Sequence, residues 1–180
     1  MAQSPEEFMR FTAPDPEALE QAIRLAQRKL EEAKALGDEI ATLEQAADLG
    51  GMLTTARREG SALELLVPHK SLATLHQSKE QSAWYWNALA TALQYFGERA
   101  TAEAYFAKAV EVAKEGGWRR IEAMTLHHWG RSLVEQGQVD AAELRFAQAL
   151  VIREELNEPR QETSREALKE LARMREARDA

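Results

Sequence analysis

The sequence predicts an all-α protein: antiparallel helix pairs stacked on one another, seven or eight helices with no sheet. Three observations lead there. Ala, Leu, Glu, Gln and Arg dominate, while the 180 residues hold only nine Gly and five Pro, a balance that favours helix nearly throughout. Apolar residues recur at helical spacing, as in Trp86, Leu89, Ala90 and Leu93 on one face. The chain also repeats itself, since the stretch ending at Gly97 has a counterpart ending at Gly137, forty residues on.

Residues 1–14 lack periodicity yet hold Phe8, Met9 and Phe11, and read as a tail docked on the body. Asp15-Pro16 opens a capping helix over 15–37, with Asp as N-cap and Pro in the first turn. Gly37-Asp38 closes it and opens the next. Three units follow, at about 43–82, 83–122 and 123–160. Ala102, Phe106, Ala109 and Val110 face Ala142, Phe146, Ala149 and Leu150, and an earlier copy sets Leu49, Gly50, Leu53, Ala62 and Leu66 opposite Leu89, Ala90, Leu93, Ala102 and Phe106. Each unit reads as two helices, in the second unit stopped at Gly97 and at Gly116-Gly117. One pair cannot bury its own apolar faces, so neighbours must stack.

The first unit is degenerate. Pro68 inside its second helix removes a hydrogen bond and clashes with the preceding turn, so that helix is kinked or starts late. Gly60 aligns with Gly97 only through a three-residue slip. Gly50-Gly51 costs about 1 kcal/mol per residue relative to Ala, which points to close backbone packing, with space for a ligand as the alternative. A last helix over 163–178 turns Ala167, Leu168, Leu171 and Ala172 inward and leaves a solvated Arg/Glu/Lys face, as a terminal cap needs.

Trp86, Leu89, Ala90, Leu93, Ala102, Phe106 and Ala109, and again Leu126, Trp129, Gly130, Leu133, Ala142, Phe146 and Ala149, resemble the tetratricopeptide repeat. That family's pattern is W-x2-L-G-x2-Y, then A-x3-F and a further small residue. The forty-residue period resembles the family's extended type rather than its usual length. The resemblance implies a right-handed superhelix whose first helices line a concave face, and a non-catalytic scaffold or adaptor that binds a protein or peptide there. It also permits a regulatory sensor that binds a small peptide or metabolite and acts on a partner protein. The Lys and Asn of the two-carboxylate clamp in chaperone-binding relatives are not reproduced, which counts against recognition of an acidic C-terminal tail.

Composition narrows the chemistry. Thirty acids against 23 Lys plus Arg give a net charge of −7, unfavourable for nucleic acid or an anionic membrane. There is no cysteine, so thiol catalysis and zinc–thiolate sites are excluded. No apolar run is long enough to span a bilayer, and the acidic, proline-containing start does not read as a signal peptide, so a cytoplasmic location is expected. His69 and His76 are separated by a broken helix, while His127 and His128 are adjacent and about 100° apart on a helix, too divergent for one ion. No phosphate loop, nucleophile elbow or zinc-protease motif appears. The expectation is no enzyme, no cofactor and no metal, with a homo-oligomer left open.

The binding signal is the stripe beside the core on each first helix. In the second unit it holds Trp84, Asn87, Thr91, Gln94 and Tyr95. In the third it holds Met124, His127, Arg131, Val134 and Glu135, with His128 at its edge. Aromatics and Arg dominate binding hot spots, because they bury large area while keeping polar contacts. Trp84, Asn87, Thr91, Tyr95, His127, His128 and Arg131 are therefore the candidate partner-binding residues. The alternative is that Trp84 and Tyr95 pack on the preceding unit or the tail.

Overall fold

The computed structural model describes residues 7–179, and among them every regular element is helical. The helices are α1 (Pro16–Leu36), α2 (Glu39–Thr55), α3 (Glu59–Leu66), α4 (Lys70–Leu75), α5 (Glu80–Phe96), α6 (Arg99–Gly116), α7 (Arg119–Glu135), α8 (Val139–Glu155) and α9 (Gln161–Asp179). A 3-10 turn at Val67–His69 joins α3 to α4. Counting that interrupted pair as one helix gives eight, the all-α architecture of repeated helix pairs that the sequence predicts.

The backbone carries the period as plainly as the side chains. Within the pairs, the left-handed turn residues are Arg57, Gly97 and Gly137, with φ of 60°, 99° and 74°. At unit ends they are Gly37, Gly117 and Asn157, with φ of 68°, 72° and 49°. The expected three-residue slip at Gly60 is thus corrected: the first unit keeps the straight register, and Arg57 stands where its neighbours have glycine. Glycine takes this conformation without penalty and arginine does not, so the sequence masks a turn that the backbone retains.

The helices group into two compact units. One spans Phe11–Gly117. Asp15 caps α1, its Oδ1 accepting from Ala18 N at 3.0 Å, and Asp38 caps α2 in the same way through Ala41 N at 2.9 Å. α2 packs on α1, α3 and α5, and α5 packs on α6. At the centre, Trp86 stacks on Tyr105, ring centroids 5.4 Å apart, while Lys108 Nζ lies 3.9 Å from the Trp86 ring centre. Gly50 of α2 faces the buried Leu66 of α3 so closely that a Cβ would lie 2.7 Å from Leu66 Cδ1, whereas a Cβ on Gly51 would meet nothing within 4 Å. Close packing is therefore the reason for Gly50 alone.

The proline break is repaired by side chains. With no N–H at Pro68 the helix tightens into the 3-10 turn. His69 Nδ1 then lies 2.8 Å from Leu65 O, Tyr85 Oη donates to Leu66 O at 2.5 Å, and Ser82 Oγ donates to Ala73 O at 2.8 Å. Burial, with a smaller contribution from Tyr105, pushes the Tyr85 hydroxyl far above its ordinary pKa, so it stays a donor.

The second unit comprises Trp118 onward together with the segment through Arg10. α8 packs on both α7 and α9. Its core gathers Phe8, Leu133, Val134, Ala142, Phe146, Ala167 and Leu171. Gly130 repeats the Gly50 device, since a Cβ there would lie 2.7 Å from Phe146 Cε1. Glu7–Arg10 forms a single turn, Arg10 N donating to Glu7 O at 3.1 Å, and Phe8 is 4% exposed in that core. The first six residues of the expected tail lie outside the described residues.

Candidate functional site

The stripe on α5 is set by the helix period. Trp84, Asn87, Thr91 and Tyr95 recur at three- or four-residue steps. Trp84 is half-buried and its Nε1 donates to Asp48 Oδ1 of α2 at 2.8 Å. Asn87 is 3% exposed, and its Oδ1 is buried with no hydrogen-bond partner among the described residues. Thr91 Oγ1 donates back to the Asn87 carbonyl at 2.8 Å, the ordinary way a threonine satisfies itself inside a helix. Tyr95 is half-buried, while Gln94 is fully buried.

The stripe on α7 is more enclosed than a solvent-facing strip would be. His127 is 5% exposed, its ring centre 5.1 Å from that of Phe146 and its Nδ1 3.3 Å from Ser164 Oγ of α9. Burial, then the positive charges of Arg131 and Arg153, hold His127 well below the usual histidine pKa, so it is neutral at pH 7. His128 is half-buried and depressed in the same direction, by desolvation first, then Arg131 and His127. Arg131 is 6% exposed, and its Nη1 donates to the main-chain carbonyl of Met9 at 3.1 Å.

Two contributors escaped the sequence reading. Arg153 of α8 is buried, donating from Nη1 to Arg160 O at 3.0 Å and to Ser164 Oγ at 2.8 Å, with Glu158 Oε2 3.9 Å from its Nε. Burial lowers its pKa to about 10, with Glu158 opposing and Arg160 and Arg131 adding to the fall. Ser164 thus accepts from Arg153 and can turn its own proton to His127 Nδ1. The signal was present: forty residues earlier the register has Ala113, and an arginine on a core alanine position asks for a buried acceptor.

The remaining histidines serve locally, His69 at the proline break and His76 against Glu39, Nε2 to Oε2 2.6 Å. Among the described residues no three His, Asp or Glu side chains gather as metal ligands, and no helix is long and apolar enough to cross a membrane.

Paired helices in a forty-residue register, with Leu66 laid on Gly50 in one pair and Phe146 on Gly130 in another, define a helical-repeat protein. The family model for the tetratricopeptide repeat matches residues 83–115 and 123–163, the segments that hold α5–α6 and α7–α8. These segments match the tetratricopeptide repeat, whose copies generally mediate protein–protein interaction. No curated protein matches the chain.

Proposed function

We propose that the chain is a non-catalytic adaptor whose matched repeats each bind extended protein segments through their own first helix, α5 in one unit and α7 in the other. The contacts are Trp84, Asn87, Thr91 and Tyr95 on α5, and His127, His128 and Arg131 on α7. One observation carries this reading: α7 already holds an irregular stretch of chain, Arg131 donating to the Met9 carbonyl at 3.1 Å. A main-chain carbonyl is a feature every peptide offers, so the same grip serves a ligand of different sequence.

The test is capture from cell extract by the immobilised chain, comparing wild type with Asn87→Ala, Trp84→Ala and, as an exposed control, Glu111→Ala. A partner retained by wild type and the control, and lost by the α5 variants at unchanged melting temperature, is the expected result. Retention by every folded variant would move the site off the α5 stripe.

A further inference from the structure

The segment Glu7–Arg10 is packed as a ligand is packed. It reaches the second unit from far away in sequence, Met9 and Arg131 being 122 residues apart. It contributes a single turn and an aromatic anchor, Phe8, whose ring centre lies 6.1 Å from that of Phe146. Leu133 and Val134 of α7 and Leu171 of α9 belong to the same buried cluster. One charge-assisted hydrogen bond, from Arg131 to the Met9 carbonyl, fixes the main chain.

The turn is also strained. Met9 sits at φ 49°, in the left-handed region that a non-glycine residue adopts at a cost. Around the anchor, partly buried Met9, Trp129, Leu168 and Met174 form the edge of the cluster. Methionine repacks readily and is over-used at surfaces that accept more than one occupant.

We propose that the α7–α9 surface around Phe8 is a docking site for another protein's extended segment bearing an aromatic–apolar pair like Phe8-Met9, and that Glu7–Arg10 occupies it as an exchangeable internal ligand. The occupant's chemistry is read from the occupant in place: an aromatic ring for the cluster, then an apolar residue whose carbonyl meets Arg131. The proposal rests on the reading of Arg131 as a partner contact. Because the internal segment is tethered, an outside peptide competes against a high effective concentration, while the backbone strain at Met9 eases release.

The probe is a fluorescently labelled synthetic peptide of residues 5–12, titrated into the full chain with anisotropy as readout. The Phe8→Ala chain, its internal anchor removed, is expected to bind the peptide at least tenfold more tightly than wild type, and a peptide with the same Phe→Ala change is expected not to bind. Equal binding to both chains, or none to a folded Phe8→Ala chain, overturns the proposal. If Phe8→Ala does not fold, hydrogen exchange on wild type decides. Excess peptide should raise exchange at the Met9 and Arg10 amides, and unchanged protection overturns the exchange of occupants. A wild-type dimer that Phe8→Ala dissolves would assign the site to a second copy of this chain, against the proposal. The two readings fail separately: full-strength peptide binding by Phe8→Ala/Arg131→Ala sinks the role of Arg131 and leaves the docking surface standing.

Discussion

Two adjacent glycines in α2 make a controlled comparison, because only one of them is crowded. Building a Cβ at Gly50 sets it 2.7 Å from Leu66 Cδ1 and 2.9 Å from both Cδ2 and Cγ, well inside the roughly 3.5–4.0 Å of a comfortable carbon contact. Cγ is among the atoms struck, so a χ2 change of Leu66 alone does not clear the clash. Leu66 itself has no exposed surface into which to retreat. Overpacking of this type costs about 1–3 kcal/mol. Alanine returns about 1 kcal/mol of helix propensity, so Gly50→Ala should destabilise by up to about 2 kcal/mol. A Cβ at Gly51 meets nothing within 4 Å, so Gly51→Ala keeps the propensity gain and should stabilise by about 1 kcal/mol. Urea titrations followed by circular dichroism, extrapolated to water, measure both variants against wild type. Equal shifts of the same sign would refute the account, since propensity alone would then govern both positions and the α2–α3 approach would not be tight.

Three further outcomes follow from the same physics. Arg57→Gly should stabilise the Phe11–Gly117 unit by about 1 kcal/mol or less, because it relieves a φ of 60° while loosening the unfolded chain; a lower thermal midpoint would contradict the strain. Ala142→Leu should lower the denaturant midpoint by about 1–3 kcal/mol of stability, as Ala142 has no exposed surface in the Phe146 cluster; an unchanged midpoint would show room in that core. Because the folded pKa of His127 lies below its unfolded value near 6.5, the unfolded chain takes up the extra proton. Stability should therefore be full above about pH 6.5 and fall on acidification, by at most about 1.4 kcal/mol per pH unit for this group. His127→Gln should flatten that slope in melting experiments between pH 7 and about pH 5, and an unaltered slope would assign it to other groups.

The fold was legible where the repeats agree with one another. Gly97 and Gly137, Ala102 and Ala142, and Phe106 and Phe146 mark corners and contacts that geometry imposes on each copy. The first copy was obscured by three substitutions in sequence that left the backbone plan intact. Arg57 holds the turn, Leu66 replaces the Phe, and Pro68 breaks the helix without ending it. For the candidate site, periodicity identified the stripe, because it fixes which residues share a face. It could not say what covers the face. Arg131 and His127 are buried by Phe8–Met9, Phe146 and α9, and a register search within forty residues does not reach a contact made across 122. Arg153 lies within reach of the register, yet one copy, read alone, looks like another surface arginine.

The repair of the proline break bears on how the Phe11–Gly117 unit assembles. Leu66 O and Ala73 O lie on α3 and α4, yet their donors, Tyr85 and Ser82, come from α5. Until α5 docks, both carbonyls depend on water and the two short helices have little to hold them. Folding of α3 and α4 is thereby made conditional on the repeat that follows, so this stretch should behave as one cooperative block with α5 rather than as a self-sufficient pair. Partial opening of the unit should begin elsewhere, at α1, whose main packing partner is α2.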